Sequence, residues 1–260
     1  MQQLYVNTEK SLIATLPRFT FEGKIVIIQG QEEARQAIRF LRTQRIVGID
    51  TETRPSFRAG TSYKVALLQV STLDICFLFR LNFMGFTQEL ADLFADINVL
   101  KVGLSLRDDF NALRARWEGI EPRNYVDLQT MATEMGIKDL SLQKLFANVL
   151  GGKISKKAQL TNWEADVLTP AQQTYAATDA YTCILLYQRL KTLRETRDYC
   201  LIEPPTPPAP SQEAEQSKEE KPKRQSRQAK QPATKRSKST STATRKKRTS
   251  KPKSNPSEPQ

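Results

Sequence analysis

Short apolar runs and helical stripes alternate along the first two hundred residues. Runs of β-branched residues predict strands, whereas apolar positions that recur every three or four residues predict amphipathic helices. The predicted strands are 24–28, 45–53, 65–71, 74–79, 99–103 and 125–128. The predicted helices are 31–42, 87–95, 108–113, 140–150 and 170–194. Three successive strands forming an antiparallel meander, followed by alternating helices and strands, predict a mixed α/β sheet flanked by helices.

This pattern stops near Glu203. A proline-rich run follows, and then Lys, Arg, Ser, Thr and Gln with almost nothing apolar, a composition that cannot build a core. Residues 204–260 carry 15 basic against 5 acidic side chains, a net +10 of the chain's +12. We expect one globular domain over residues 1–203 and a disordered basic tail over 204–260. Such a polycation can neutralise phosphates, although a protein partner for the tail stays open.

The amino-acid composition excludes several classes of catalytic and metal site. The chain has no histidine, which excludes Ser-His-Asp triads, Cys-His pairs and imidazole-ligated zinc. Three cysteines, Cys76, Cys183 and Cys200, show no metal-ligand spacing and cannot all pair, which is typical of a reducing compartment. No apolar stretch reaches the ~20 residues that span a bilayer. We therefore expect no membrane association and a cytoplasmic location, with the nucleoid as an alternative or the nucleus in a eukaryote.

Two carboxylates end the central predicted strand. Asp50 and Glu52 are two positions apart, and alternation along a strand places them on the same face. Two like charges held close together are costly unless a cation lies between them, and Mg²⁺ or Mn²⁺ prefers oxygen ligands. Two interpretations remain open at this point: a cation site, or a strand that ends in solvated acidic residues.

Further acidic residues lie downstream. Tyr175 and Asp179 are four positions apart on the long helix that Thr169 caps, so they share a helical face. Asp127 lies where a strand runs into a helix, which favours a capping role. Spacing alone does not bring any of these side chains to Asp50.

Three motifs, in a fixed order along the chain, resemble those of a known family, and this resemblance indicates which of these side chains come together. Asp50-x-Glu52, then the run 103–110, then Tyr175-x-x-x-Asp179 resemble the motifs of the DEDD superfamily of 3′-5′ exonucleases, in the subclass with tyrosine in its third motif. Further matches are Lys64-Val65-Ala66-Leu67-Leu68-Gln69 and the residues around 173–180. The resemblance covers residues 25–193 approximately, and this part of the chain is similar to RNase D and the Werner exonuclease domain. It implies an RNase H-like (DnaQ-like) fold.

The resemblance also implies roles for five residues. Asp50 would bridge two divalent ions, Mg²⁺ or Mn²⁺, while Glu52 and Asp179 complete the first ion's shell and Asp109 holds the second. Alignment on the following residues selects Asp109 rather than its neighbour Asp108, which suits a helix N-terminal charge. Tyr175 would orient the attacking water, since its ordinary pKa near ~10 makes it a poor base.

The implied substrate is the 3′ end of DNA or RNA, cleaved to 5′-monophosphates. Phe57, Tyr63, Lys64 and Arg107 are candidate nucleic-acid-binding residues, as stacking rings and phosphate partners. The alternative is a catalytically silent nucleic-acid-binding module that keeps the fold, which should show a lost carboxylate or tyrosine; none is lost. The sequence does not identify protein partners.

Overall fold

The computed structural model describes residues 1–58 and 60–203. The predicted tail at 204–260 lies outside the described residues. The strands are β1 (Gln2–Tyr5), β2 (Lys24–Ile28), β3 (Ile46–Glu52), β4 (Leu67–Ser71), β5 (Ile75–Arg80), β6 (Leu100–Gly103), β7 (Tyr125–Asp127) and β8 (Tyr199–Ile202). The helices are α1 (Lys10–Thr15), α2 (Gln31–Leu41), α3 (Leu81–Met84), α4 (Gln88–Ala95), α5 (Leu106–Arg114), α6 (Leu128–Glu134), α7 (Leu142–Leu150) and α8 (Pro170–Thr196).

Six strands form the central sheet, in the order β2-β5-β4-β3-β6-β7. Strands β3, β4 and β5 make the predicted antiparallel meander. Strand β2 then pairs in parallel with β5, and β6 pairs in parallel with both β3 and β7. The predicted mixed α/β sheet is therefore confirmed.

Alternation along β3 divides its side chains between two layers. Val47 and Ile49 face one apolar cluster, which contains residues of α2, α4 and α5. Gly48, Asp50 and Glu52 face the other side, where α8 packs. A Cβ atom on Gly48 would lie only 1.9 Å from the carbonyl oxygen of Ala180. The missing side chain thus lets α8 lie directly on β3.

Two helix boundaries have clear local causes. Helix α8 begins with Pro170 after a Thr169 N-cap, whose hydroxyl accepts a hydrogen bond from the Gln172 amide, as the sequence predicts. Helix α7 begins at Leu142, two residues later than predicted, because Ser141 is its N-cap and accepts from the Lys144 amide. None of the helices within the described ranges is long and apolar enough to cross a membrane.

Strands β1 and β8 form a separate two-stranded parallel sheet that the sequence analysis did not predict. Leu4 pairs with Leu201 across it and is fully buried. Each strand has four residues, too few for period-two alternation to stand out, and the partners are almost two hundred residues apart. The three cysteines are all free.

Candidate active site

Three carboxylates converge at the end of β3. Asp50, Glu52 and Asp179 each offer an oxygen, and these oxygens all lie within 4.8 Å of one another. The strand supplies the first two on its α8 face, and the close approach at Gly48 brings α8 and its Asp179 to them. Glu52 and Asp179 are buried, whereas Asp50 is partly exposed.

Asp109 approaches from the opposite side of β3. It lies in the first turn of α5, and its Oδ1 accepts a 2.5 Å hydrogen bond from the hydroxyl of Thr51, whose side chain alternates away from Asp50. Asp109 is outside the group of three carboxylates but close enough to influence the pKa of Asp50. Its neighbour Asp108 is exposed.

Tyr175 lies one helical turn before Asp179 and in the same cavity. The cavity measures about 280 Å³. The ring of Tyr175 packs against buried Trp163, with 6.0 Å between ring centroids. The lining comprises Asp50, Thr51, Glu52, Leu104, Leu140, Ser141, Leu142, Gln143, Ile154, Ser155, Lys156, Gln159, Tyr175 and Asp179.

Burial and mutual repulsion disfavour the charged forms of these acids. Burial, followed by the charge of Asp179, raises the pKa of Glu52 to about 9 and that of Asp50 well above its ordinary value. Burial also raises the pKa of Asp109 and of Asp179 to about 7. For Tyr175, burial and then the Asp179 charge raise the pKa, so its hydroxyl stays protonated at neutral pH. It is therefore a hydrogen-bond donor rather than a base.

The cluster fits a hard divalent cation. The Oδ1 atom of Asp179 is buried without a hydrogen-bond partner, although buried polar atoms are nearly always paired. Three carboxylates within ligand distance form the all-oxygen donor set that Mg²⁺ and Mn²⁺ prefer. A bound cation would supply both the missing partner of that oxygen and the charge that the cluster lacks.

The N-terminal segment contacts the residues just before one wall of the cavity, which is formed by residues 140–143. The amide of Lys138 donates to the carbonyl of Val6 at 2.8 Å. The amide of Thr8 donates to buried Asp139 at 3.0 Å, and the Thr8 hydroxyl donates to the other oxygen of the same carboxylate. Asn148 also donates to Asp139, at 3.3 Å. Asp139 is thus tied into the framework and does not line the cavity.

Sequence reasoning missed several residues that line the cavity. Ser141 and Gln143 had no distinguishing pattern, because their position depends on where α7 begins. Lys156 belongs to the lysine-rich segment 154–161, whose composition predicts a loop but no function, and its charge partly opposes the rise that burial causes in the pKa of Asp179. Thr51, between the two motif acids, has an alternating position that signals contact with the opposite layer.

A second cavity of about 560 Å³ contains two of the four predicted nucleic-acid-binding residues. Phe57 is 86% exposed, and Tyr63 lies under the guanidinium of Arg54, 4.9 Å from its ring centroid. Lys64 and Arg107 are exposed but line neither this cavity nor the one with the carboxylates. The structure therefore brings Phe57 and Tyr63 together and leaves the other two apart.

Known proteins are similar to this chain in both sequence and fold. A family described as 3′-5′ exonuclease matches residues 25–194. A 3′-5′ exonuclease of Arabidopsis thaliana is 33% identical over 193 residues, which cover 68% of this chain and 67% of that protein. The bifunctional 3′-5′ exonuclease/ATP-dependent helicase WRN of Mus musculus is 31% identical over 157 residues, which cover 58% of this chain but 11% of that relative.

The solved structure of the Aedes aegypti Nibbler EXO domain has a TM-score of 0.63 at 19% identity, over 70% of this chain and 94% of that chain. This likeness confirms the predicted RNase H-like fold. The acidic motifs predicted DEDD-type membership, and a family match over most of the globular part agrees. The chain therefore belongs to the 3′-5′ exonuclease family of nucleases.

Proposed function

We propose that this chain removes nucleotides one at a time from the 3′ end of DNA or RNA, using two divalent ions and releasing 5′-monophosphates. The convergence of Asp50, Glu52 and Asp179 within 4.8 Å, beside Tyr175, carries the proposal. In this scheme Asp50 contributes to both ion sites, Glu52 and Asp179 to the first, and Asp109 to the second. Magnesium is the expected ion, with Mn²⁺ as a substitute.

The bound ions would activate the attacking water and stabilise the leaving oxygen during in-line displacement of the phosphodiester. The hydroxyl of Tyr175 orients the water by hydrogen bonding, since its raised pKa keeps its proton in place. Lys156, exposed on the cavity wall, offers its ammonium to a phosphate oxygen. Burial of Glu52 and Asp179 limits access of bulk water to their carboxylates.

The neighbouring cavity suits the nucleotides before the scissile bond. Phe57 and Tyr63 provide ring faces for stacking, and Arg54 and Arg58 provide positive charge. The two cavities are lined by neighbouring parts of the chain, since Glu52, the last residue of β3, lines the first and Arg54, two residues later, lines the second. Neither feature selects between DNA and RNA, because no described residue is assigned to the 2′-hydroxyl.

Strands of DNA and RNA labelled at the 5′ end test the proposal directly. Successive shortening of the labelled strand with Mg²⁺ or Mn²⁺, and none in excess EDTA, is expected. Asp50→Asn and Asp179→Asn should abolish activity, while the matched control Asp108→Asn, exposed beside Asp109, should retain most of it. Activity in EDTA, or release of the labelled 5′ nucleotide first, would refute the proposal.

We further propose that residues 204–260 raise affinity without affecting the chemical step. Each phosphate contact adds about −0.7 to −0.9 to the slope of log K against log salt concentration. Removing the tail should therefore weaken binding and flatten this slope, while turnover on short substrates persists. Equal slopes with and without the tail would assign its charge to another partner.

A further inference from the structure

Gln69 is a buried polar residue with no visible structural purpose. It lies in the middle of β4 with 0% of its surface exposed, and neither its Oε1 nor its Nε2 has a hydrogen-bond partner. An unpaired buried amide destabilises a fold, and native side chains of this kind are almost always bonded. An apolar residue of the same size would fill the position at lower cost. A glutamine at this position therefore indicates a role other than stabilising the fold.

The strand register places Gln69 beside the acidic cluster. Gln69 is directly opposite Asp50 on β3, so both side chains are on the α8 face of the sheet. Directly opposed residues of an antiparallel pair have Cβ atoms about 4.5–5.5 Å apart. The glutamine side chain is long enough for its amide to span this distance to a carboxylate.

Within the sheet, the other neighbours of Gln69 on this face offer it no partner. Leu78 opposes it on β5, and Leu67 precedes it on the same face of β4; both side chains are wholly apolar and buried. Ser71, two residues further along, already donates its hydroxyl to the carbonyl of Thr72 at 2.8 Å. Asp50 is thus the polar side chain that the ladder brings to the amide.

We infer that Gln69 is a positioning residue of the active site: its Nε2, which has no partner in the fold described above, donates to the carboxylate of Asp50 when a divalent ion is bound and fixes the orientation of that carboxylate toward the ion. The inference rests on the proposed metal-dependent function. A carboxylate has about four lone-pair sites, so Asp50 can accept from Gln69 and still present oxygens to cations. Outer partners of this kind orient metal-binding carboxylates, and their loss typically weakens metal binding or activity by about 10–100-fold.

Gln69→Met tests the inference, because methionine keeps the length and unbranched shape but has no amide. Without metal, the melting temperature of the variant should equal or exceed that of the wild type, since two unpaired polar atoms disappear. Calorimetric titration with Mn²⁺ should show about 10–100-fold weaker binding. Turnover at saturating oligonucleotide should fall, with partial recovery at high Mn²⁺. Gln69→Leu, of similar volume, should behave in the same way.

Gln172 provides a matched control. It is also buried, but its Nε2 donates to Thr161 at 2.9 Å and to Asn162 at 3.2 Å, and its Oε1 accepts from the Thr169 amide at 3.0 Å. Gln172→Met should therefore lower the melting temperature and leave the Mn²⁺ dissociation constant unchanged.

The results separate this inference from the proposed function. If Gln69→Met and Gln69→Leu both lower stability, or if both bind Mn²⁺ as the wild type does, the positioning role is wrong, whatever the activity of the wild type. If the wild type binds Mn²⁺ without degrading either nucleic acid, and Gln69→Met weakens that binding, the proposed function fails while the role of Gln69 stands. A wild type that binds no Mn²⁺ overturns both.

Discussion

Gly48→Ala should damage the active site from a position that touches no substrate. The added Cβ would lie 1.9 Å from the carbonyl oxygen of Ala180 and 3.1 Å from Cγ1 of Ile184, whereas ordinary contact begins at 3.4 Å. Strand β3 and helix α8 must therefore separate locally by about 1.5 Å, because backbone on both sides leaves no flexible side chain to yield. Overpacking of this kind costs about 1–3 kcal/mol.

The same displacement should reduce catalysis. Asp179 is adjacent to Ala180 and Tyr175 lies one turn earlier, so both move away from the carboxylates of β3. Misplacement by about 1 Å can lower a rate by about 10²-fold, and we expect a loss of at least that size. The melting temperature should fall by about 2–12 °C, given about 2–4 °C for each kcal/mol in a domain of this length.

Thermal unfolding and single-turnover degradation of a labelled oligonucleotide measure both effects. Gly119→Ala is the matched control, because that glycine is exposed and a Cβ there would meet nothing closer than 3.4 Å. It should leave both measurements near wild-type values. A Gly48→Ala protein with unchanged turnover and melting temperature would refute the contact between β3 and α8 as the basis of the site.

Three further predictions follow from the geometry. Tyr175→Phe keeps the ring against Trp163 and removes the hydroxyl, so turnover should fall by about 10²–10⁴-fold with little change in melting temperature; near wild-type turnover would exclude the hydroxyl from the chemistry. The raised pKa of Glu52 means that the metal-free native state keeps a proton that the unfolded chain releases. The stability that this proton contributes is complete below pH ~4.5 and is lost as pH rises toward about 9. EDTA-treated Glu52→Gln should therefore show a flatter decline of melting temperature with pH than the wild type, and an identical decline would contradict the raised pKa of Glu52. Thr8→Val removes the hydroxyl that donates to buried Asp139, so the free energy of unfolding in urea should fall by about 1–3 kcal/mol and turnover should fall with it. Thr15→Val, exposed on α1, should change neither. A Thr8→Val variant of unchanged stability would show that other contacts hold the cavity wall.

Local periodicity was sufficient to predict the elements that carry the chemistry. The two-residue repeat of a strand places Asp50 and Glu52 on one face, and the four-residue spacing in a helix places Tyr175 and Asp179 together. Capping by Thr169 and Asp127 was also predictable, since both act on amides within three residues. These features depend on neighbours in the chain, so sequence carries them directly.

The family resemblance supplied what local pattern could not, namely which acids meet. Asp139 and Asp179 look alike in the sequence, but the fold binds Asp139 to Thr8 and leaves an Asp179 oxygen unpartnered beside Asp50. The resemblance to 3′-5′ exonucleases thus distinguished Asp179, as a candidate site residue, from Asp139. It did not assign a role to the buried hydrogen bonds around Asp139.

By itself, the sequence determined the α/β class, the acidic strand end, the shared face of the long helix and the absence of imidazole chemistry. Only the tertiary structure decided that β1 pairs with β8, that residues 140–143 form a wall of the cavity, and that Gln69 is unpaired opposite Asp50. Periodicity reports which face a residue occupies, since that depends on backbone geometry over a few residues. It does not report what covers that face, because this depends on the path of chain segments that are distant in sequence and on packing among all of them at once.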